Sequence, residues 1–184
     1  MPGFIAHIGK EKMPFAPVID EQLHVDNMSS VLGYFIERRI QKRDLNDSLF
    51  VDTGRYAMVI DGQISNKSAL QEAYRAFSWP NCIARMYEKE GDRFFRSLIG
   101  TYAGLFYDKH QDKWLVFANE QPIFYVRVEE HIFVASDQTE LAVTLRLNNL
   151  SKDAIEQLPS GSFLRKSRHQ EPKLKTINKK LTQR

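Results

Sequence analysis

Four short apolar runs follow one another between Tyr102 and Ala135, and they constrain the fold more than any other feature of the chain. Tyr102–Tyr107, Trp114–Ala118, Ile123–Arg127 and Ile132–Ala135 are too short for stable helices and rich in aromatic and β-branched residues. Polar stretches, Asp108–Lys113 and Glu129-Glu130, divide them, so they read as antiparallel strands joined by hairpins. Tyr102–Tyr107 is apolar throughout, which predicts a strand buried on both faces.

Upstream, Tyr56–Ile60 reads as a strand that meets Asp61-Gly62, a dipeptide suited to a tight turn because glycine accepts positive φ. A second short strand and Asn66, a helix cap, lead into a predicted helix over Ala69–Phe77. Pro80 disfavours helical geometry at Trp79, so that helix ends near Ser78 and a second covers Cys82–Glu90, stopped by Gly91. Asp92–Ile99 reads as a further helical turn or two. Phe4–Ile8 is a strand, and Lys10–Val25, with Pro14 and Pro17, reads as loop. Ser29–Arg43 carries apolar residues at 31, 32, 35, 36 and 40, which predicts a helix broken at Asp44–Asp47. Leu49–Val51 is a strand before the Asp52-Thr53-Gly54 turn. Thr139–Leu145 is a short helix started by Ser136 or Asp137, and Ser162–Leu164 is a last strand. The sum is an α+β chain, with antiparallel sheets packed face to face and helices outside.

At 184 residues, 42% hydrophobic and 27% charged, the composition is that of a single globular domain. No apolar run reaches the ~18 residues of a membrane span, and no basic, then apolar, leader opens the sequence. Cys82 is the single cysteine, which excludes an internal disulfide or a Cys-rich metal site and makes the cytoplasm the default location. The net charge of +3 is uneven. Arg165–Arg184 holds eight Lys/Arg against Glu171, a balance of +7 that leaves −4 on the remainder. Residues 167–184 therefore read as a basic, flexible tail behind a domain of residues 1–166. The tail has no aromatic after Phe163, so it lacks the stacking groups of a single-strand nucleic-acid binder.

Several short motifs in a fixed order resemble the class II glutamine amidotransferase domain that opens asparagine synthetases. That family begins Met-Cys-Gly-Ile, and here Met1-Pro2-Gly3-Phe4 stands. For Asn-Gly-Glu-Ile-Tyr-Asn there is Asp61-Gly62-Gln63-Ile64-Ser65-Asn66. For Leu-x-Gly-Met-Phe-Ala-Phe-Ala-Leu-Trp/Tyr-Asp there is Leu98-Ile99-Gly100-Thr101-Tyr102-Ala103-Gly104-Leu105-Phe106-Tyr107-Asp108. Ala118-Asn119-Glu120, then Pro122-Ile123-Phe124-Tyr125, stand for Ala-Arg-Asp and Pro-Leu-Tyr. Val134-Ala135-Ser136-Asp137 stands for Phe-Ala-Ser-Glu, and Leu158-Pro159-Ser160-Gly161 for Leu-Pro-Pro-Gly.

The resemblance implies an N-terminal-nucleophile fold, a four-layer αββα sandwich of two antiparallel sheets with helices outside. It also implies a nucleophilic cysteine whose own α-amine is the base. Pro2 occupies that position and has no nucleophile. The oxyanion-donor Asn maps to Asp61, whose carboxylate repels a developing oxyanion, while Gly62 is kept. In a gapless alignment Trp79 stands at the Asp that binds the substrate α-amine, with Asn81 at the following Glu. Arg55 is the nearest candidate for the substrate-binding Arg. The expectation is a domain without glutaminase activity.

Other constellations are weaker. His7, His24, His110, His131 and His169 show no i,i+3 or i,i+4 pair, so no metal site is expected, and no Gly-rich phosphate loop is present. His7 reads as a core histidine. Asp61 reads either as a turn residue or as the mark of a pocket remodelled for a cation or amine. Trp79 reads as core or as a filler of the old glutamine site. Three functions follow: a scaffold for a separate ATP-dependent synthetase-like protein, an amino-acid sensor using the remodelled pocket, and a hydrolase with Ser65 or Thr101 as nucleophile. The scaffold is favoured and the hydrolase ranks last. No cofactor and no membrane association is expected.

Overall fold

Alternation of side chains along the central strands sets the architecture. A computed structural model of the chain describes residues 3–8, 24–30, 33–39, 49–129, 131–167 and 173–176. Strand β5 (Tyr56–Ile64) pairs antiparallel with β6 (Gly100–Asp108), and β6 with β7 (Lys113–Asn119). On these strands Ala57, Val59, Ala103, Leu105, Tyr107, Trp114, Val116 and Ala118 pack into one core, while Tyr56, Met58, Ile60, Tyr102, Phe106, Leu115 and Phe117 pack into another. Both faces of the sheet are thus buried, as the near-continuous apolar runs require.

The first core lies between two sheets. One has the order β12-β11-β7-β6-β5-β4, with β4 Leu49–Asp52, β11 Ser162–Ser167 and β12 Lys173–Thr176. The other has the order β10-β8-β9-β1-β3-β2, with β1 Gly3–Ile8, β2 His24–Ser30, β3 Gly33–Arg39, β8 Phe124–Val128, β9 His131–Ala135 and β10 Glu156–Gln157. Phe4, Ala6 and Ile8 of β1 face this inter-sheet core, together with Tyr125, Ile132 and Val134.

The second core lies beneath helices α1 (Lys67–Ala73) and α2 (Trp79–Glu90) and the 3-10 helix Gly91–Ser97. It is an aromatic cluster in which Phe95 stacks on Phe117 at 5.1 Å and Tyr87 packs on Phe106 at 4.4 Å. A third, smaller core joins Ile5, Val126, Phe133 and Ala135 to Leu141 and Leu145 of α3 (Gln138–Leu147) on the far side of the other sheet. The result is helices, sheet, sheet, helix: the αββα sandwich expected from the motifs.

Several local expectations fail, each where a distant partner outweighs a local preference. The helix expected over Ser29–Arg43 is replaced by the end of β2 and by β3. β3 pairs with all six residues of β1, from Gly3↔Arg38 to Ile8↔Gly33. The apolar spacing imitates a helix, but Tyr34, Phe35 and Ile36 suit a strand and β1 offers a ladder. His24 and Val25, expected in a loop, belong to β2, while residues 10–23 and 40–48 lie outside the described residues. Asp61-Gly62 makes no turn, because β5 runs through it to Ile64↔Gly100.

α1 stops at Ala73, short of the expected Phe77, and Arg75 takes a left-handed φ of 50°. Asn66 does not cap α1 with its side chain but bridges Ser97 O and the Ile99 amide at 2.8 and 3.0 Å. α2 begins at Trp79 itself. Ser78 accepts from the Asn81 amide at 3.3 Å, and Pro80 falls in the first turn, where no helical N–H is lost. Asp137, not Ser136, caps α3, accepting from the Glu140 amide at 2.8 Å. Part of the expected flexible tail, Lys173–Thr176, is a strand paired with β11 from Ser162↔Thr176 to Arg165↔Lys173, because β7 leaves β11 a second edge to fill.

Candidate functional site

Two glycines mark one end of the β5–β6 ladder. Gly62 has φ +127° and Gly100 φ +139°, values that side-chain-bearing residues rarely adopt. A methyl group on Gly62 would stand 2.2 Å from Thr101 O, and one on Gly100 2.0 Å from Gln63 O. The backbones therefore approach here as only glycine permits. Asn119, the last residue of β7, donates from Nδ2 to Gly100 O at 2.5 Å. Glu120 then turns the chain with a left-handed φ of 64° and forms a bridge to Tyr102. Its amide donates to Ser160 Oγ at 2.9 Å, and its carboxylate accepts from Thr101 Oγ1 at 3.2 Å.

That turn delivers Gln121. Its Nε2 donates to Asp61 Oδ2 at 2.7 Å, and its Oε1 lies 2.7 Å from where a Gly62 methyl group would be. Asp61 shares strand parity with Ala57 and Val59, so its carboxylate is on the inter-sheet side. The segment then crosses to the other sheet. Phe124 opens β8 opposite Ala135, which in turn lies opposite Ile5. The crossover between Asn119 and Phe124 therefore joins the Asp61–Gly62 end of one sheet to the end of the other at which β1 begins. Pro2, which precedes β1, lies outside the described residues.

The structure does not bring the other expected site residues here. Arg55 precedes β5 and is about 20 Å along the strand from Asp61. It pairs with Glu88 of α2 at 3.0 Å and lies 4.8 Å over the Tyr56 ring. Trp79 packs into the core beneath α1 and α2, with Lys67 Nζ 5.7 Å over its ring. Asn81 is in the first turn of α2, its Oδ1 buried without a hydrogen-bond partner among the described residues. Of the two hydroxyls considered as nucleophiles, Ser65 donates to Ile99 O at 3.1 Å and Thr101 donates to Glu120. Cys82 is buried in the helical-layer core, and burial pushes its thiol up to about 11.

His7 is fully buried, with Nε2 3.0 Å from His131 Nδ1. Burial first, and the neighbouring His131 second, pull its pKa down to about 4. Among the described residues no group of three His, Cys, Asp or Glu is arranged to hold a metal ion. Gln121 was not found from sequence. The polar run Asn119–Gln121 between two strands is visible there, but the left-handed Glu120 that aims it is not.

A model of the glutamine amidotransferase domain matches residues 28–182. The chain belongs to the glutamine amidotransferase domain family. Within that family it is related to asparagine synthetases. Asparagine synthetase B (glutamine-hydrolysing) of Escherichia coli strain K12 is 27% identical over 119 residues, 59% of this chain and 20% of that protein. Asparagine synthetase (glutamine-hydrolysing) 2 of Bacillus subtilis strain 168 is 26% identical over 129 residues, 64% of this chain and 17% of that one. The amidotransferase-like chain thus spans about a fifth of the length of these relatives.

Two of the solved structures similar to this chain show the shared fold. The glutamine phosphoribosylpyrophosphate amidotransferase of B. subtilis, complexed with ADP and GMP, matches with a TM-score of 0.56 and 14% identity, over 79% of this chain and 35% of that one. A structure described as the allosteric regulatory enzyme of purine biosynthesis matches with a TM-score of 0.58 and 11% identity, over 95% of this chain and 43% of that one. The sandwich is thus of the N-terminal-nucleophile type expected from the motifs.

Proposed function

We propose that this amidotransferase-like domain hydrolyses no glutamine and acts as a scaffold for an ATP-dependent, asparagine-synthetase-like amide-forming protein. The observation that carries the reading is the pairing of Asp61 with Gln121. Acyl transfer needs hydrogen-bond donors aimed at the developing oxyanion. At the position where the resembling family carries a donor amide, this chain holds a carboxylate and directs a side-chain N–H to it. Losing one such donor typically costs on the order of 100- to 1000-fold in rate. Pro2, at the family's nucleophile position, supports the same reading, since proline has no group to attack an amide.

With no reaction to run, the retained sandwich serves as a surface, and the reading assigns ATP chemistry to a protein outside these 184 residues. It takes the domain as cytoplasmic, in keeping with the lone thiol of Cys82. The test is direct mixing with a synthetase-like protein that lacks its own glutaminase domain. A stable complex on size exclusion, with no ammonia released from glutamine, is the expected result. Ammonia release, or two components that elute apart, contradicts it.

A second reading, an amino-acid sensor, draws on the same carboxylate. Asp61 on the inter-sheet side, beside the bare backbone of Gly62, is suited to an ammonium or amide ligand. A rise in melting temperature with amino acids tests it.

A further inference from the structure

The Gln121 side chain is a primary carboxamide, and its surroundings treat it as a ligand. The chain is turned at Glu120, whose left-handed φ of 64° is uncommon for a residue with a side chain. Three contacts hold that turn: the Glu120 amide to Ser160, the Glu120 carboxylate to Thr101, and the bridge to Tyr102. The held turn places the amide nitrogen on Asp61 and the amide oxygen against Gly62, at a spot where any β-carbon would collide. Glycine at 62 thus makes room for the carboxamide as well as for Thr101 O.

We infer that Gln121 is an internal ligand: its carboxamide fills a recess formed by Asp61, Gly62 and Thr101 that otherwise accepts a small N–H-donating molecule, a primary amide or an ammonium group. The inference rests on the proposed function only in taking this end of the sandwich as the remodelled site. Asp61 supplies a charged acceptor, and charge-assisted hydrogen bonds are about twice as strong as neutral ones. The bare backbone at Gly62 supplies the space. A tethered occupant competes with free ligand at no cost of association, so the unaltered protein binds free amides only in the fraction of molecules whose Gln121 has swung out. The same side chain that closes the recess defines what fits it.

The test uses Gln121→Ala, with acetamide and methylammonium as probes and the backbone amide resonances of Gly62, Thr101 and Tyr102 as readout. Saturable shifts confined to these residues are expected in the variant, with apparent affinity at least about tenfold higher than in the unaltered protein. Asp61→Asn, made in the Gln121→Ala background, is expected to abolish the response to methylammonium. Equal responses in the Gln121→Ala and unaltered proteins overturn the inference. Should Gln121→Ala fail to fold, the side-chain amide protons of Gln121 in the unaltered protein decide. Slowed solvent exchange relative to an exposed glutamine supports the internal ligand, and exchange at the exposed rate overturns it. Ammonia release from glutamine by the variant counts for the inference and against the proposed function, so the two fail separately.

Discussion

The Gln121 side-chain amide donates to the Asp61 carboxylate across 2.7 Å, linking two residues 60 positions apart at the end of the β5–β6 ladder that holds Gly62 and Gly100. Both groups are partly exposed, so the bond contributes toward the lower end of the range for hydrogen bonds to charged groups. Replacing Gln121 by alanine is expected to lower the unfolding free energy by about 1.5 kcal/mol in urea titrations, with an unchanged m-value.

Glycine at 62 is required by both conformation and space. Gly62→Ala places a methyl group within 2.2 Å of Thr101 O and 2.7 Å of Tyr102 Cα, both backbone atoms that no side-chain rotation can move, on a backbone with φ +127°. A loss of about 3 kcal/mol or more is expected. Gly54 is the control, since a methyl group there meets nothing within 4 Å. Gly54→Ala is expected to leave stability unchanged or raise it by up to about 1 kcal/mol.

Much of this fold is legible in the sequence, and the failures share one cause. β6, β7 and β9 declare themselves because their residues are apolar on both faces, so no local alternative competes. β2 and β3 do not, because apolar residues at 31, 32, 35, 36 and 40 imitate a helix and only pairing with β1 decides otherwise. Asp61-Gly62 reads as a hairpin turn until β6 supplies nine partners for β5. At the site, Asp61 and Gly62 were visible through the motif they share with a family. Gln121 was not, since its place depends on a left-handed Glu120 and on a strand 60 residues upstream. Trp79, aligned to the site by counting, and Arg55, the nearest candidate arginine, are carried elsewhere by the aromatic core and by Glu88.

His7 makes stability fall in mild acid. Its pKa drops from 6.5 to about 4 on folding, so the unfolded chain binds the proton first as pH decreases. The contribution is complete above pH 6.5, declines between 6.5 and 4, and is gone below about 4. At 1.36 kcal/mol per unit, the loss is roughly 3 kcal/mol. A bond between two imidazole nitrogens also needs one N–H and one lone pair, so the His7–His131 contact at 3.0 Å requires a neutral ring. Urea titrations between pH 7 and 4 are expected to show this slope in the unaltered protein and to lose most of it in His7→Phe.

Asp92 ties the helical layer to the sheet. Its carboxylate accepts from Arg165 at 2.7 Å and pairs with Lys113, and its side chain is only 12% exposed. Burial pushes its pKa up, but the hydrogen bonds and charges of Lys113 and Arg165 outweigh this and hold the carboxyl below its ordinary 3.8. The stabilisation is present above pH 3.8 and lost as pH falls through the lowered value. Asp92→Ala leaves two cations facing each other and is expected to cost about 2–3 kcal/mol in denaturant titrations at pH 7.

Cys82 is fully buried, and burial raises its thiol to about 11. A thiolate-selective reagent at pH 8 is expected to leave the native protein unmodified over hours and to label one thiol at once in denaturant. Fast labelling of the native protein would mean that α2 opens readily from the aromatic core.

The central claim is that this amidotransferase-family domain keeps the sandwich without the reaction, and ammonia release from glutamine tests it most directly. The assay compares the unaltered protein with Pro2→Cys processed so that the cysteine is the first residue. With Asp61 still standing where the resembling family carries its donor Asn, neither is expected to release ammonia above the protein-free rate. Glutamine hydrolysis by the unaltered protein, in proportion to its concentration, would contradict the account.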